Sequence, residues 1–512
     1  MKTNTYKLFF ITILILGIGA RIWKFGDIPA GLNQDEASSA MDSYYVLHYG
    51  MDRNGISYPL QFIMWGGGQS SLHEYLLIPF IAFGLNPFTT RLPMLISGIL
   101  TLFLIYFAAR RIAGERYALI AMFLLAISPW HIMMTRWSLN DNMLPFIFLA
   151  GFLSVLRSEK DNRWFVMGCA FFAVCFYAYG AAYIVVPVFL LVSIPAVVYA
   201  RRASRQTIIL GLCVLFVLSI PILLFVTMNF FGLDTIHLGS FTIPRFPVAP
   251  RYQSLSAMFG EHGGQMLVDN MLAMFRLLVF QSDGLIWNSI PAYGYFYSFT
   301  FPLALVGLIM LLASNPEMFV FERRLLLAWV IASFAIGTQI AVNLNRINSI
   351  FIPLLLCIAL VLEYLAEKYR LLFCVVIFAF LAAFGFFLHD YFGKPYQDSV
   401  GREFSAGLLP SMNFAIQAGG GPICVSDKPR MPYIFALMAE KPNPLDYLAT
   451  VKYVNPDSEF REVRTFGRYT FGIENCTHIP STIYIIRDDE NLPFANAGFM
   501  MHTFGIFRVF TP

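Results

Sequence analysis

The chain has 512 residues, 58% of them hydrophobic and 13% charged, with 52 Phe and a formal net charge of +4. Soluble globular chains carry about a quarter of their residues charged, so this composition excludes an ordinary soluble protein. The small net charge leaves no basic footprint, and no nucleic-acid partner is expected.

A bilayer-spanning helix needs about 20 apolar residues. The first candidate runs from Leu8 to Ala20, with Lys2 and Lys7 before it and Arg21 and Lys24 after it. Gly17-Ile18-Gly19-Ala20 also fits a signal-peptide cleavage site. The many spans that follow favour a retained first helix. Further spans are predicted at about 92–110, 118–134, 143–157, 164–179, 182–200, 206–227, 295–313, 325–342, 349–366 and 371–388, about eleven with the first.

Cytoplasmic loops concentrate Lys and Arg. With the N-terminus inside, the inner loops hold Arg110, Arg111 and Arg116; Arg157, Lys160 and Arg163; Arg201, Arg202 and Arg205; Arg323 and Arg324; and Lys368 and Arg370. The first outer loop instead holds Asp27, Asp35, Glu36, Asp42, Asp52 and Glu74. The expected layout is a transmembrane catalytic domain over 1–388 and a soluble outer domain over 389–512. Within the former, 26–91 is the first outer loop, carrying the catalytic acids, and 228–294 is the second. The localisation that follows is a cytoplasmic (inner) membrane with the C-terminal domain on the exofacial or periplasmic side.

The tail has turn clusters at Gly419-Gly420-Gly421-Pro422 and Lys441-Pro442-Asn443-Pro444. Strand-like runs appear at Ile423-Cys424-Val425, Ile483-Tyr484-Ile485-Ile486 and Ile506-Phe507-Arg508-Val509-Phe510, which predicts a small α/β domain. Cys424 and Cys476 fall in this tail, where a disulfide is chemically allowed. The other five Cys lie in apolar spans and read as packing residues.

The chemistry collects on one side of the membrane. Asp35-Glu36 follows a Gly/Pro turn, with Asn33, Gln34, Ser38 and Ser39 around it. An acidic first helical turn accounts for the pair equally well. Beyond the third span come Trp130, Arg136, Trp137 and Asn140-Asp141-Asn142. An Arg and carboxylates at a lipid boundary are costly unless paired or used. Between these clusters, Trp65-Gly66-Gly67-Gly68-Gln69 leads into an apolar stretch from Leu72 to Phe83, too short to span and suited to the interface.

Three of these features resemble the GT-C polyprenyl-phosphate-sugar transferases: Asp35-Glu36, Arg136 with Asp141, and Thr90-Arg91-Leu92-Pro93 opening the second span. Protein O-mannosyltransferases and the lipid A aminoarabinose transferase are similar over roughly residues 1–200. The resemblance implies a GT-C type α-helical polytopic membrane protein, with interfacial helices in the first outer loop and a small exofacial domain. It implies an inverting hexosyl- or pentosyltransferase. The donor would be a polyprenyl-phosphate-linked sugar and the acceptor a glycan, lipid or protein, all handled at the lipid surface. Asp35 is then the general base, Glu36 positions its neighbours, and Asp141 orients the acceptor or pairs with Arg136. Where that family often has Lys-Pro-Pro or His-Pro-Pro, this chain reads Gln69-Ser70-Ser71. The donor phosphate therefore falls to Arg136, Arg346 or His73, with Arg245 and Arg251 weaker. Asn140, Gln69 and Trp65 are candidates for the sugar or acceptor. Two carboxylates can hold a divalent metal, but no metal or other cofactor is expected. A transporter or flippase for polyprenyl-linked sugars, a lipid-linked glycan polymerase or ligase, and a non-catalytic accessory subunit are the alternatives. Acids gathered at one face rather than at the bilayer midplane argue against transport.

Overall fold

The computed structural model describes residues 2–65, 68–250, 263–313, 320–492 and 498–512. In chain order the first part comprises α1 (Lys2–Ile22), α2 (Gln34–Tyr49), the short strands β1 (Gln61–Phe62) and β2 (Gln69–Ser70), α3 (Leu72–Ile81), α4 (Pro87–Ala113), α5 (Glu115–Ile127) and α6 (Pro129–Met134). Then come α7 (Leu144–Arg157), α8 (Arg163–Ala178), α9 (Ala182–Tyr199), α10 (Arg205–Phe231), β3 (Ile236–Leu238), β4 (Phe241–Ile243) and α11 (Gly263–Phe280). They are followed by α12 (Phe301–Ala313), α13 (Val320–Gln339), α14 (Phe351–Lys368) and α15 (Arg370–Tyr391).

A helix stands at every predicted span. Among the described residues six helical stretches are long and apolar enough to cross a membrane: Asn4–Ile22, Pro87–Ala113, Ala182–Tyr199, Arg205–Phe231, Asn348–Lys368 and Arg370–Tyr391. Two expected spans differ. The one at 118–134 is broken at Ser128, because Pro129 lacks an N–H and forces the residue before it to be extended (ψ 122°). The one at 295–313 becomes α-helical only at Phe301, after Tyr297 turns the backbone at φ +78°.

The chain divides into two compact units. The first contains the described parts of Met1–Phe25, Met94–Leu223 and Tyr252–Gly393. It is a helical bundle with aromatic packing at its centre: Trp329 is fully buried, with ring centroids 4.8 Å from Phe148 and 5.0 Å from Phe152. Gly307 lets α12 approach α14, since a Cβ there would lie 2.0 Å from the Cys357 carbonyl oxygen.

The second unit contains the described parts of Gly26–Pro93, Leu224–Arg251 and Lys394–Pro512. Its C-terminal portion holds α16 (Lys394–Glu403), α17 (Leu408–Ala418), β5 (Ile423–Val425), α18 (Tyr433–Glu440), α19 (Pro444–Thr450), β6 (Lys452–Tyr453), β7 (Val463–Phe466), β8 (Tyr469–Phe471), β9 (Ile483–Arg487), β10 (Met500–Phe504) and β11 (Phe507–Thr511). Seven strands form one sheet in the order β10-β11-β9-β5-β8-β7-β6, with β5 parallel to both β8 and β9. Alternation sorts the side chains. Ile423, Val425, Ile483, Ile485, Phe507 and Val509 enter the main core, and Cys424, Tyr484, Ile486 and Phe510 form a second cluster on the other face. The Cys424–Cys476 disulfide lies on that second face.

The main core is shared with the segment after α1. Leu32, Ala37, Met41, Tyr45, Met64 and Trp65 pack in it with Leu408, Tyr433 and Phe435. Gly31 is fixed against this portion at φ +82°, where a Cβ would sit 2.4 Å from the Phe404 carbonyl oxygen. The Leu32 N–H donates to that same oxygen at 2.8 Å.

Candidate functional site

Asp35 and Glu36 occupy the first turn of α2. Asn33 starts the helix with a capping box: its side chain accepts from the Asp35 N–H at 2.8 Å, and Glu36 accepts from the Asn33 N–H at 3.0 Å. The two carboxylates then part company. Glu36 is fully buried and takes a bidentate grip from Arg91, with Nε to Oε1 at 2.9 Å and Nη2 to Oε2 at 3.0 Å. Arg91, also fully buried, donates further to the carbonyls of Gly26, Pro29 and Gly31. Asp35 remains half-buried and accepts a hydrogen bond from the Trp65 indole Nε1 at 2.9 Å.

One turn further along α2 lies a buried polar face. Ser39 donates to Glu74 Oε1 at 3.0 Å, and Gln69 Nε2 lies 3.4 Å from Ser39 Oγ. Asp42 is ion-paired with Arg53 at 3.5 Å, both buried. His73 is fully buried, and burial pulls its imidazole down to about 3. It is therefore uncharged near neutral pH.

In the first unit Arg136 is fully buried and ends α1. It donates to the carbonyls of Ala20, Arg21, Trp23 and Lys24, between 2.6 and 3.2 Å, and lies over the rings of Tyr391 and Phe392. This is the favoured place for a cation at a helix C-terminus. Asp141 is half-buried and Asn140 buried. Asn348 donates to the Asp141 carbonyl at 2.6 Å, which brings the 343–348 turn against this segment. Arg346, half-buried in that turn, spends one side-chain bond on the Ala341 carbonyl at 3.0 Å. An apolar cavity of about 300 Å³ lies among α11, α12, α13 and α14, lined by Met274, Phe275, Tyr295, Phe301 and Phe334.

The structure therefore joins Asp35 to Trp65, and Gln69 to the Ser39–Glu74 pair, within one unit. It places Asn140, Asp141 and Arg346 at neighbouring turns of the other. Arg245 is half-exposed, 3.7 Å from Asp234. Arg251, Gly66 and Gly67 lie outside the described residues.

The family described as Dolichyl-phosphate-mannose-protein mannosyltransferase matches over residues 72–225, from α3 into α10. Among solved structures, ArnT from Cupriavidus metallidurans bound to undecaprenyl phosphate is similar at TM-score 0.57 and 15% identity. That similarity covers 100% of this chain and 98% of that one. The chain has the GT-C fold. The Archaeoglobus fulgidus oligosaccharyltransferase is similar at TM-score 0.54 and 14% identity, over 84% of this chain. In complex with an inhibitory peptide and a dolichol-phosphate, that protein, AglB, gives TM-score 0.52 at 14% identity. The chain spans 61% of the length of the former and 64% of the latter. No curated protein matches in sequence. Family and structural neighbours are glycosyltransferases, and this GT-C chain is a multi-pass membrane protein.

Sequence reasoning passed over three groups in this GT-C chain. Arg91 was quoted within a motif but given no partner, Arg53 was not singled out, and Glu74 counted only as a loop acid. Nothing in the spacing of 36 and 91, or of 42 and 53, announces an ion pair. The best available signal was the lone basic residue in an acidic loop, Asp52-Arg53.

Burial pushes the Glu74 carboxyl up to about 8, and burial followed by the Asp42 charge pushes Asp52 up to about 7. Both folded-state values lie above the ordinary 4.5 and 3.8, so the folded protein binds extra protons between those limits. Stability is thus full at acidic pH and falls as pH rises towards 8. Thermal unfolding in detergent, followed from pH 5 to 9, is expected to show that fall. Glu74→Gln should remove its upper part, so that the decline ends near pH 7. An unchanged curve in the variant would refute this origin.

Proposed function

We propose that the protein transfers a sugar from a polyprenyl-phosphate carrier to an acceptor hydroxyl or amine at the non-cytosolic membrane face, with inversion at the anomeric carbon. The observation that carries this reading is the division of the acidic pair. Glu36 is enclosed by Arg91 and cannot meet a substrate, whereas Asp35 is accessible and aimed by Trp65. A general base must be within reach of the proton it accepts. In the reaction the acceptor O–H or N–H adds to the anomeric carbon, the bond from that carbon to the phosphate oxygen breaks, and the proton passes to Asp35.

The departing phosphate is a stable anion and calls for a cation rather than an acid. Arg suits it through its planar fork. The guanidinium of Arg136 is committed to the end of α1, and His73 brings no charge. The phosphate role therefore moves to Arg346. Asn140 and Asp141 remain assigned to the acceptor. Gln69 and Trp65 move from the sugar to the support of Glu74 and Asp35. A polyprenyl carrier is supported by the relatives solved with undecaprenyl phosphate and dolichol-phosphate, and by the apolar cavity. The basic loops after the second, fourth and sixth predicted spans support a cytosolic N-terminus.

The test uses the full chain in proteoliposomes, offered a polyprenyl-phosphate-linked sugar or a nucleotide sugar. Glycoside and free polyprenyl phosphate are expected from the lipid-linked donor alone. Arg346→Ala should raise the donor KM about 10- to 100-fold, as losing one charged hydrogen bond does, with the acceptor KM unchanged. Equal rises in both KM values would take Arg346 away from the phosphate. Intact donor crossing the bilayer without glycoside formation would replace transfer by transport.

A further inference from the structure

We propose that Arg53 is a positioning residue for the reaction, lying on the Trp65 indole whose N–H holds Asp35. This rests on the reading of Asp35 as the base. The Arg53 Cζ lies 5.0 Å from the Trp65 ring centroid, a cation–π distance, and the same indole reaches Asp35 Oδ1 at 2.9 Å. Arg53 is 2% exposed. It is tied back to α2 as well: Nη1 donates to Ser38 Oγ at 2.6 Å, three residues beyond Asp35, and the Arg53 N–H donates to Asp42 Oδ1 at 3.2 Å. One guanidinium therefore braces both the helix that carries the carboxylate and the ring that orients it.

The ring is gripped elsewhere too. Tyr433 meets it edge-on, with centroids 6.0 Å apart at 90°, and the Arg461 N–H donates to the Trp65 carbonyl at 2.7 Å. Trp65 sits at φ +57°, a left-handed conformation that disfavours bulky side chains. Glycine would take it without strain, so a large ring held there points to a task for the side chain.

The chemistry follows from charge. A cation over an indole face draws electron density from the ring and makes its N–H a stronger donor. A stronger hydrogen bond to the ionised form of a carboxyl lowers its pKa and keeps the base unprotonated. Titratable groups around Arg53 are Asp42 and Tyr45 on α2, Asp52, Glu74 on α3, Tyr433 and Tyr447. Burial works against the Arg53 charge, but Asp42, Tyr433, Tyr447 and Asp52 outweigh it and hold the guanidinium above its ordinary value.

Two measurements test the proposal on the full chain. The first is the Trp65 indole N–H resonance, assigned by its loss in Trp65→Phe. It is expected to move upfield in Asp35→Asn and in the neutral pair Arg53→Gln/Asp42→Asn. Ser38→Ala, which removes only the bond that aims Arg53, should move it the same way by less. This keeps the test decisive if the neutral pair fails to fold. A resonance indifferent to Ser38→Ala overturns the proposal. The second is the acid limb of the kcat/KM pH profile. Trp65→Phe should shift it up by about one pH unit, the neutral pair should shift it in the same direction, and the neutral pair should add nothing within Trp65→Phe. Additive shifts would mean that Arg53 does not act through the ring. If Asp35→Asn keeps full turnover, the base assignment fails, while the resonance still decides whether the Arg53–Trp65–Asp35 contact exists.

Discussion

Asp35→Asn should lower kcat by about 10²- to 10⁴-fold, the range that one positioned general base contributes. The substitution is unusually clean here. The α2 cap is built from Asn33 and Glu36, not from the Asp35 side chain. An Asn carbonyl can still accept the Trp65 indole N–H, so the ring keeps its partner. Only the capacity to take a proton is removed. Donor KM should change little, and the variant should reach the membrane in wild-type amount. The loss should shrink with an acceptor whose own proton is more acidic, because such a nucleophile needs less help. The check is single-turnover transfer from a polyprenyl-phosphate-linked sugar, with variant abundance measured in parallel. Wild-type turnover in Asp35→Asn would remove the carboxylate from the chemistry and return Asp35-Glu36 to an acidic helix start.

What the sequence disclosed follows the range of each signal. Runs of about 20 apolar residues fix a helix without reference to anything distant, and a helix stands at each predicted span. Alternation in 423–425, 483–486 and 506–510 was equally local, and each run is a strand of the C-terminal sheet. The break at Ser128-Pro129 was legible from Pro alone, yet apolar residues on both sides carried the predicted span through it. The contacts of the site are another matter. Arg136 was noticed because a buried-boundary cation needs a reason, but its partners are backbone carbonyls at the end of α1, which have no sequence signature. The indole of Trp65 finds Asp35 thirty residues away. The acidic loop and the polar tail also share one core, and patterning can show that a residue is buried but not what it is buried against. Asp35 was chosen through its neighbours in sequence. What distinguishes it from Glu36 is a partner 55 positions further along.

That partner carries the largest structural effect. Arg91→Met is expected to destabilise the protein by about 3–5 kcal/mol, the cost of leaving one member of a buried ion pair behind. Glu36 has no exposed surface through which water could replace the guanidinium. The carbonyls of Gly26, Pro29 and Gly31 would lose their donor at the same time. These three residues form the turn that delivers the chain from α1 to α2, so the α2 start should loosen and Asp35 with it. The comparison that isolates the charge is Arg91→Met with Glu36→Gln, in which no ion is left unpaired. It should recover more than half of the loss, since neutralising both members of a buried pair is often nearly free. Denaturation in detergent, read for the single and double variants, measures both quantities. If the double variant is as unstable as Arg91→Met alone, the damage comes from the orphaned carbonyls and not from the stranded carboxylate. If Arg91→Met itself is as stable as wild type, the clamp on Glu36 contributes nothing, and the argument that Glu36 is structural while Asp35 is chemical loses its basis.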